Sequence, residues 1–152
     1  MTRRGADLFD HTVHTAHTWL IDIAEMFGTT DQRFALRVVR AWLHTLRDRL
    51  TVDEAVHFGA QLPELLRGIY YDGWNPSKVP VKYGPDEFAE RFAKEAKIPT
   101  ADVTWTAARV ALIMQAHFSP GQLEHALAQV PGWLRDVVGG VDVAARNAEL
   151  VG

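Results

Sequence analysis

Five basic side chains recur at helical spacing in the segment that follows Asp31. They are Arg33, Arg37, Arg40, His44 and Arg47, and we refer to them as the basic stripe. At about 100° per residue they fall within an arc of about 80° on one side of a helix. A row of such donors can bind phosphates or the acidic surface of a partner. The same face can instead pair with Asp31, Asp48 and acids of neighbouring helices, so two interpretations stay open.

Imidazole and carboxylate groups cluster near the N-terminus. Asp7, Asp10, His11 and His14 are separated by three or four residues, so pairs of them share one side of a helix. Such nitrogen and oxygen ligands suit zinc or a related ion. A third histidine, His17, points about 240° away from His11, so the three cannot bind one ion from a straight helix. The alternative is an ordinary solvated helix face.

A third group combines aromatic and basic residues around a turn. Its members are Tyr70, Tyr71, Trp74, Lys78 and Lys82. The rings could form a ledge on which a ligand stacks, with the two lysines supplying charge. Aromatic residues in such a position also anchor loops to the core, and the sequence does not separate these alternatives.

No catalytic grouping is recognisable. The chain has no cysteine, which excludes a disulfide framework, a thiolate metal site and a cysteine nucleophile. Its only serines, Ser77 and Ser119, lie beside turn signals. A nucleophile elbow, a phosphate-binding loop and a dinucleotide fingerprint are all missing from the sequence. We therefore expect no cofactor and lean towards a protein that is not an enzyme.

Apolar residues at helical spacing predict six helices. Three helix starts carry capping signals. They are Asp31 before the second helix, Thr51 with Glu54 three residues later before the third, and Ser119 with Pro120 before the sixth. Pro63 lies inside the third helix and is expected to kink or split it. The expected helices span about 10–27, 32–50, 52–70, 86–96, 100–118 and 120–138.

The fifth predicted helix is apolar nearly all round. Such a helix is either buried within the monomer or covered by a second chain. In the second case Trp105 and Leu112 would form a homodimer interface.

A sequence pattern in the first half of the chain recurs in the second half. Gln-Leu-Pro followed by Leu-Arg at 61–67 returns as Gln-Val-Pro followed by Leu-Arg at 129–135. We predict an all-α fold in which two tandem three-helix repeats pack as a six-helix bundle with pseudo-two-fold symmetry. The parts of this single compact domain are a first repeat 10–70, an ordered linker 71–85, a second repeat 86–138 and a C-terminal tail 139–152.

Several segments together resemble a known family. These are Arg47–Leu50, Gln61–Pro76, the pair Trp19-Leu20 and the long central helix Ala35–Leu50. They are similar to the bacterial family catalogued as domain of unknown function 2267, over most of the chain from Thr12 to Val138. The resemblance implies an all-helical fold and brings with it no catalytic residue.

The bulk properties limit location and function. A net charge of -3 gives no overall attraction to nucleic acid or an anionic membrane. Neither a signal peptide nor an apolar run of membrane-spanning length is present, so we expect a cytoplasmic protein without membrane contact. The leading hypothesis is a non-enzymatic protein that binds an unidentified protein partner or forms a homodimer. The alternatives are metal or small-ligand binding by the first helix, and RNA or ribosome association through the basic stripe.

Overall fold

A computed structural model describes residues 2–140, with side chains from residue 8 onward. This part of the chain is all-helical and contains no β-strand, which confirms the predicted fold class. Two short 3-10 turns lie at Pro76–Lys78 and Thr100–Asp102. The α-helices are α1 Thr2–Met26, α2 Gln32–Arg49, α3 Val52–Gly59, α4 Glu64–Tyr71, α5 Pro85–Ala96, α6 Val103–His117, α7 Gln122–Leu127 and α8 Gly132–Gly139.

Two of the three predicted helix caps are confirmed, whereas the cap at Ser119 is wrong because α7 begins at Gln122, after Gly121. The Asp31 carboxylate accepts hydrogen bonds from the backbone N–H groups of Arg33 and Phe34, at 3.0 and 3.2 Å. At the start of α3, Thr51 and Glu54 form a reciprocal capping box. Each cap satisfies donors that have no partner inside the helix and contributes about 1 kcal/mol. The sequence therefore determines locally where α2 and α3 begin.

Two prolines interrupt the third and sixth predicted helices: the split expected at Pro63 is confirmed, and a second one occurs at Pro131. Pro63 and Pro131 precede α4 and α8, with ψ angles of 151° at both positions. Proline has no N–H to donate and clashes with the preceding turn, so the helix ends before it and a new one begins after it. The described chain consequently has eight α-helices where the sequence predicts six.

An arginine side chain stabilises each proline break by donating hydrogen bonds to backbone carbonyls in the same pattern. Arg67 donates from Nε to the Gly59 carbonyl at 3.1 Å and from Nη2 to the Leu62 carbonyl at 2.9 Å. Arg135 makes the corresponding bonds to Leu127 at 3.0 Å and to Val130 at 3.4 Å. These partners keep the register that aligns Pro63 with Pro131. Each guanidinium satisfies carbonyls that the broken helix leaves without an intrahelical partner.

The core joins the two halves of the chain around α2. This helix contacts α1, α4, α5 and α6, and Trp42, Leu43 and Leu46 on it are fully buried. The indole N–H of Trp42 donates to the Val138 carbonyl in α8, at 3.1 Å. Helix α1 of the first half also packs on α6 of the second. The apolar side chains of each half are therefore covered in large part by the other.

The segment 72–84 between α4 and α5 is attached to α2. The N–H of Val81 donates to the Asp48 carbonyl at 2.6 Å, and the hydroxyl of Tyr83 donates to the Thr45 carbonyl. Tyr83 itself is only 2% exposed. These bonds fix the position of α5 relative to the end of α2. Of the predicted C-terminal tail, residues 141–152 lie outside the described part of the chain.

Candidate functional site

The basic stripe runs from solvent into the protein along α2. Arg33 is exposed, and Arg37 is half-buried with its Nε donating to the Ala96 carbonyl at the end of α5, at 3.3 Å. Arg40 forms an ion pair with Asp72 at 3.2 Å. Arg37 and Arg40 thus lie at the rim where α2 meets the ends of α5 and α4.

His44 is held from both sides. Its Nδ1 lies 2.5 Å from the Glu95 carboxylate of α5, and its Nε2 lies 2.7 Å from the Ile69 carbonyl of α4. A carbonyl oxygen can only accept, so Nε2 must carry the hydrogen. The ring therefore bridges α4 and α5 across the surface of α2.

Arg47 is the most enclosed member of the stripe, with 4% of its surface exposed. Its Nη1 donates to the carbonyls of Tyr70 and Asp72, at 2.7 and 2.8 Å. Its Nε donates to Asp48 at 2.8 Å. The guanidinium therefore caps the C-terminal end of α4, where carbonyls have no intrahelical partner. Arg40, His44 and Arg47 thus each bind partners within the protein.

The aromatic group at the end of α4 divides between core and surface. Tyr70 is fully buried, and its hydroxyl donates to the Ala55 carbonyl at 2.8 Å. Burial raises the pKa of this hydroxyl well above its ordinary value. Tyr71 packs against the ring of Trp74 with 5.3 Å between centroids, whereas Lys78 and Lys82 are exposed. The rings thus form a row in which Tyr71 contacts Tyr70 on one side and Trp74 on the other.

A cleft of about 410 Å³ beside His44 contains residues that the sequence did not single out. Tyr83 lines it, and the guanidinium carbons of Arg91 and Arg49 lie 5.2 and 5.7 Å from the Tyr83 ring centre. Burial raises the pKa of Tyr83 as well. Spacing within one helix could not have revealed this cleft, because its walls come from α2, α5 and the segment 72–84.

Three of the four proposed metal ligands, Asp10, His11 and His14, are exposed on α1. The described residues contain no group of three potential ligands close enough to hold an ion. The side chain of the fourth proposed ligand, Asp7, lies outside the described part.

Helix α6 has a buried side and an exposed side. Ala107, Val110 and Met114 are buried, whereas Trp105 and Leu112 are 50% and 42% exposed. The Trp105 ring lies 5.5 Å from the Phe27 ring and carries the guanidinium of Arg109 at 3.7 Å from its centre. Phe27 also contacts Phe34, at 5.2 Å. We call Phe27, Phe34, Trp105 and Arg109 the Trp105 surface.

A family model described as "Uncharacterized conserved protein (DUF2267)" matches residues 16–137. The chain belongs to this family. The match includes the basic stripe, the proline breaks and the Trp105 surface, and it begins after His11 and His14. No curated protein matches the chain. Within the described residues, no helix has both the length and the apolar composition that crossing a bilayer requires.

Proposed function

We propose that this protein acts by binding another protein or a second copy of itself, through the Trp105 surface. The observation that supports this proposal is the half-exposed Trp105 ring with the Arg109 guanidinium stacked on it at 3.7 Å. Tryptophan and arginine are the residue types that most often dominate binding energy at protein interfaces. The arginine holds the ring in one orientation, which lowers the entropy lost on binding. Nothing in the described residues or the family match favours an enzyme, a metal site or RNA association over this function.

The proposal includes an internal duplication, with repeats at 10–70 and 86–138 joined by the linker 71–85. It is supported by the matching bonds of Arg67 and Arg135. It is also supported by His57 of α3 and His125 of α7, which correspond in the same register and whose ring centres lie 5.2 Å apart. Corresponding residues that touch each other are expected on a two-fold axis. The cytoplasmic location and bacterial origin expected from the sequence remain predictions.

The test compares Trp105→Ala with Leu65→Ala. Leu65 in α4 is 44% exposed and lies outside the Trp105 surface, so it controls for the loss of an exposed apolar side chain. Sedimentation equilibrium measures self-association, and quantitative pull-down with identification by mass spectrometry measures partner binding. For whichever complex forms, we expect Trp105→Ala to weaken it about 30-fold or more and Leu65→Ala to leave it unchanged.

The contrary result is equally clear. If both variants form the same complexes with the same affinity as the parent protein, the Trp105 surface is not the contact. Circular dichroism of each variant ensures that a lost complex does not reflect a lost fold.

A further inference from the structure

A cavity of about 440 Å³ lies between α6, α7 and α8, away from the Trp105 surface. Its apolar lining comes from Leu127, Ala128 and Gly139. Polar side chains on all three helices complete it, including Gln115 of α6 and Glu124 of α7. A volume of this size lies within the range of pockets that bind small molecules.

The corresponding place in the first half is closed by side chains. In the register that aligns Pro63 with Pro131, Tyr71 stands where Gly139 does. The Tyr71 hydroxyl lies against Gly59, only 2.5 Å from where a Cβ on that glycine would be. Its ring also packs on Tyr70 and Trp74, at 4.9 and 5.3 Å. A phenol ring thus fills the first half at the point where the second half has no side chain.

Two further residue differences between the halves shape the cavity in the second half. Gln115 stands where Arg47 does, so a shorter amide replaces a guanidinium that caps α4. Leu127 stands where Gly59 does, and its Cδ1 lies 3.1 Å from where a Cβ on Gly139 would be. The leucine therefore takes part of the room that Tyr71 occupies in the first half. The cavity of about 440 Å³ is what remains beside it.

The acidic group that the cavity offers to a ligand is Glu124. Its carboxylate lies in the wall together with the guanidinium of Arg135. The Arg135 donors are directed to the carbonyls of Leu127 and Val130. Among the described residues, neither the Gln115 amide nor the Glu124 carboxylate has a hydrogen-bond partner. An amide and a carboxylate next to an apolar floor can orient a ligand that has both a ring and a donor.

We propose that this cavity binds a small aromatic amine, with the ring against Leu127 and Gly139 and the ammonium group directed to Glu124. The ring then covers the apolar surface that Tyr71 covers in the first half. The ammonium group pairs with the Glu124 carboxylate, which has no hydrogen-bond partner among the described residues. This site does not depend on the Trp105 surface, and its test does not involve a protein partner.

The test uses tyramine, a phenol with an ammonium group, followed by chemical-shift changes in the full-length protein. The matched probe 3-(4-hydroxyphenyl)propionate has the same ring and a carboxylate instead. We expect saturable tyramine binding with a Kd of about 1 mM or lower, and at least about tenfold weaker binding of the propionate. No saturation by about 20 mM tyramine, or equal affinity for the two probes, overturns the proposal.

Two variants locate the binding. Gly139→Tyr places in the second half the residue that the first half has, and we expect it to abolish tyramine binding. Its control is Gly132→Ala, at the start of α8, where a Cβ has open space. Glu124→Gln, on an exposed residue, should weaken tyramine binding about three- to fivefold and leave the binding of neutral 4-methylphenol unaffected. Unchanged tyramine binding in both Glu124→Gln and a folded Gly139→Tyr protein overturns the assignment.

Discussion

His44 shows how a single side chain can hold several helices together. With Glu95 on one ring nitrogen and the Ile69 carbonyl on the other, it joins α5 and α4 to α2. The residue is 9% exposed, so water cannot readily replace either partner. A buried polar group that loses its partner costs more than the net value of the hydrogen bond itself.

We expect His44→Ala to lower the free energy of unfolding by about 2–4 kcal/mol, because it leaves the Ile69 carbonyl without a donor and Glu95 without its partner. Urea unfolding followed by circular dichroism measures the loss. His14→Ala removes an exposed histidine from α1 and should change stability by less than about 0.5 kcal/mol. Equal effects of the two substitutions would show that the bridge contributes nothing.

The sequence could predict the basic stripe but not the environment of its members. Helical spacing places Arg33 to Arg47 on one side of α2, and that arrangement follows from the backbone alone. Whether this side faces water depends on where α4 and α5 pack, and these helices lie far along the chain. Glu95 and Asp72 could not be recognised as partners for the same reason. Pairing within the protein, one of the two interpretations that the sequence left open, applies to Arg40, His44 and Arg47.

At the scale of elements, the proline breaks at Pro63 and Pro131 determine the direction of α4 and α8. Each break leaves backbone carbonyls without helical partners, and the arginine four residues later satisfies some of them. The Leu-Arg pair after each proline is visible in the sequence, and it served there as evidence of a repeat. The role of this arginine in stabilising the break was not predictable, because it depends on how far the chain turns at the proline.

Arg67→Ala should lower the free energy of unfolding by about 1–2 kcal/mol, because a half-buried guanidinium that donates to several carbonyls is lost. Arg135 is more exposed, so Arg135→Ala should cost about 0.5–1 kcal/mol. Arg67→Lys should recover little, because lysine lacks the planar fork that reaches two carbonyls at once. Chemical denaturation provides the measurement, with Arg33→Ala on the exposed start of α2 as the control. A loss at Arg33 as large as at Arg67 would contradict this explanation.

At the scale of the whole molecule, the described residues form one core that both halves share. Helix α2 lies against α5 and α6, α1 lies against α6, and Trp42 reaches Val138. The sequence predicted the helical class and most helix positions from local patterns. It could not predict this degree of mutual burial, because apolar spacing shows which side of a helix is covered but not which helix covers it.

A fragment of residues 1–84 should therefore fail to fold as a unit. Removal of α5, α6 and α8 exposes Trp42 and its apolar neighbours, which are fully buried in the intact chain. We expect reduced helicity by circular dichroism and a broad urea response in place of a cooperative transition. A sharp transition with the helicity of the intact first half would show that this half is an autonomous domain.

The segment 72–84 gives the molecule one further property. It covalently links two groups of helices that bury each other's apolar surfaces, so these groups associate within one polypeptide. Two separate chains of the same design would come apart on dilution, since their association would follow mass action. Because the two halves belong to one chain, their packing on each other does not depend on protein concentration.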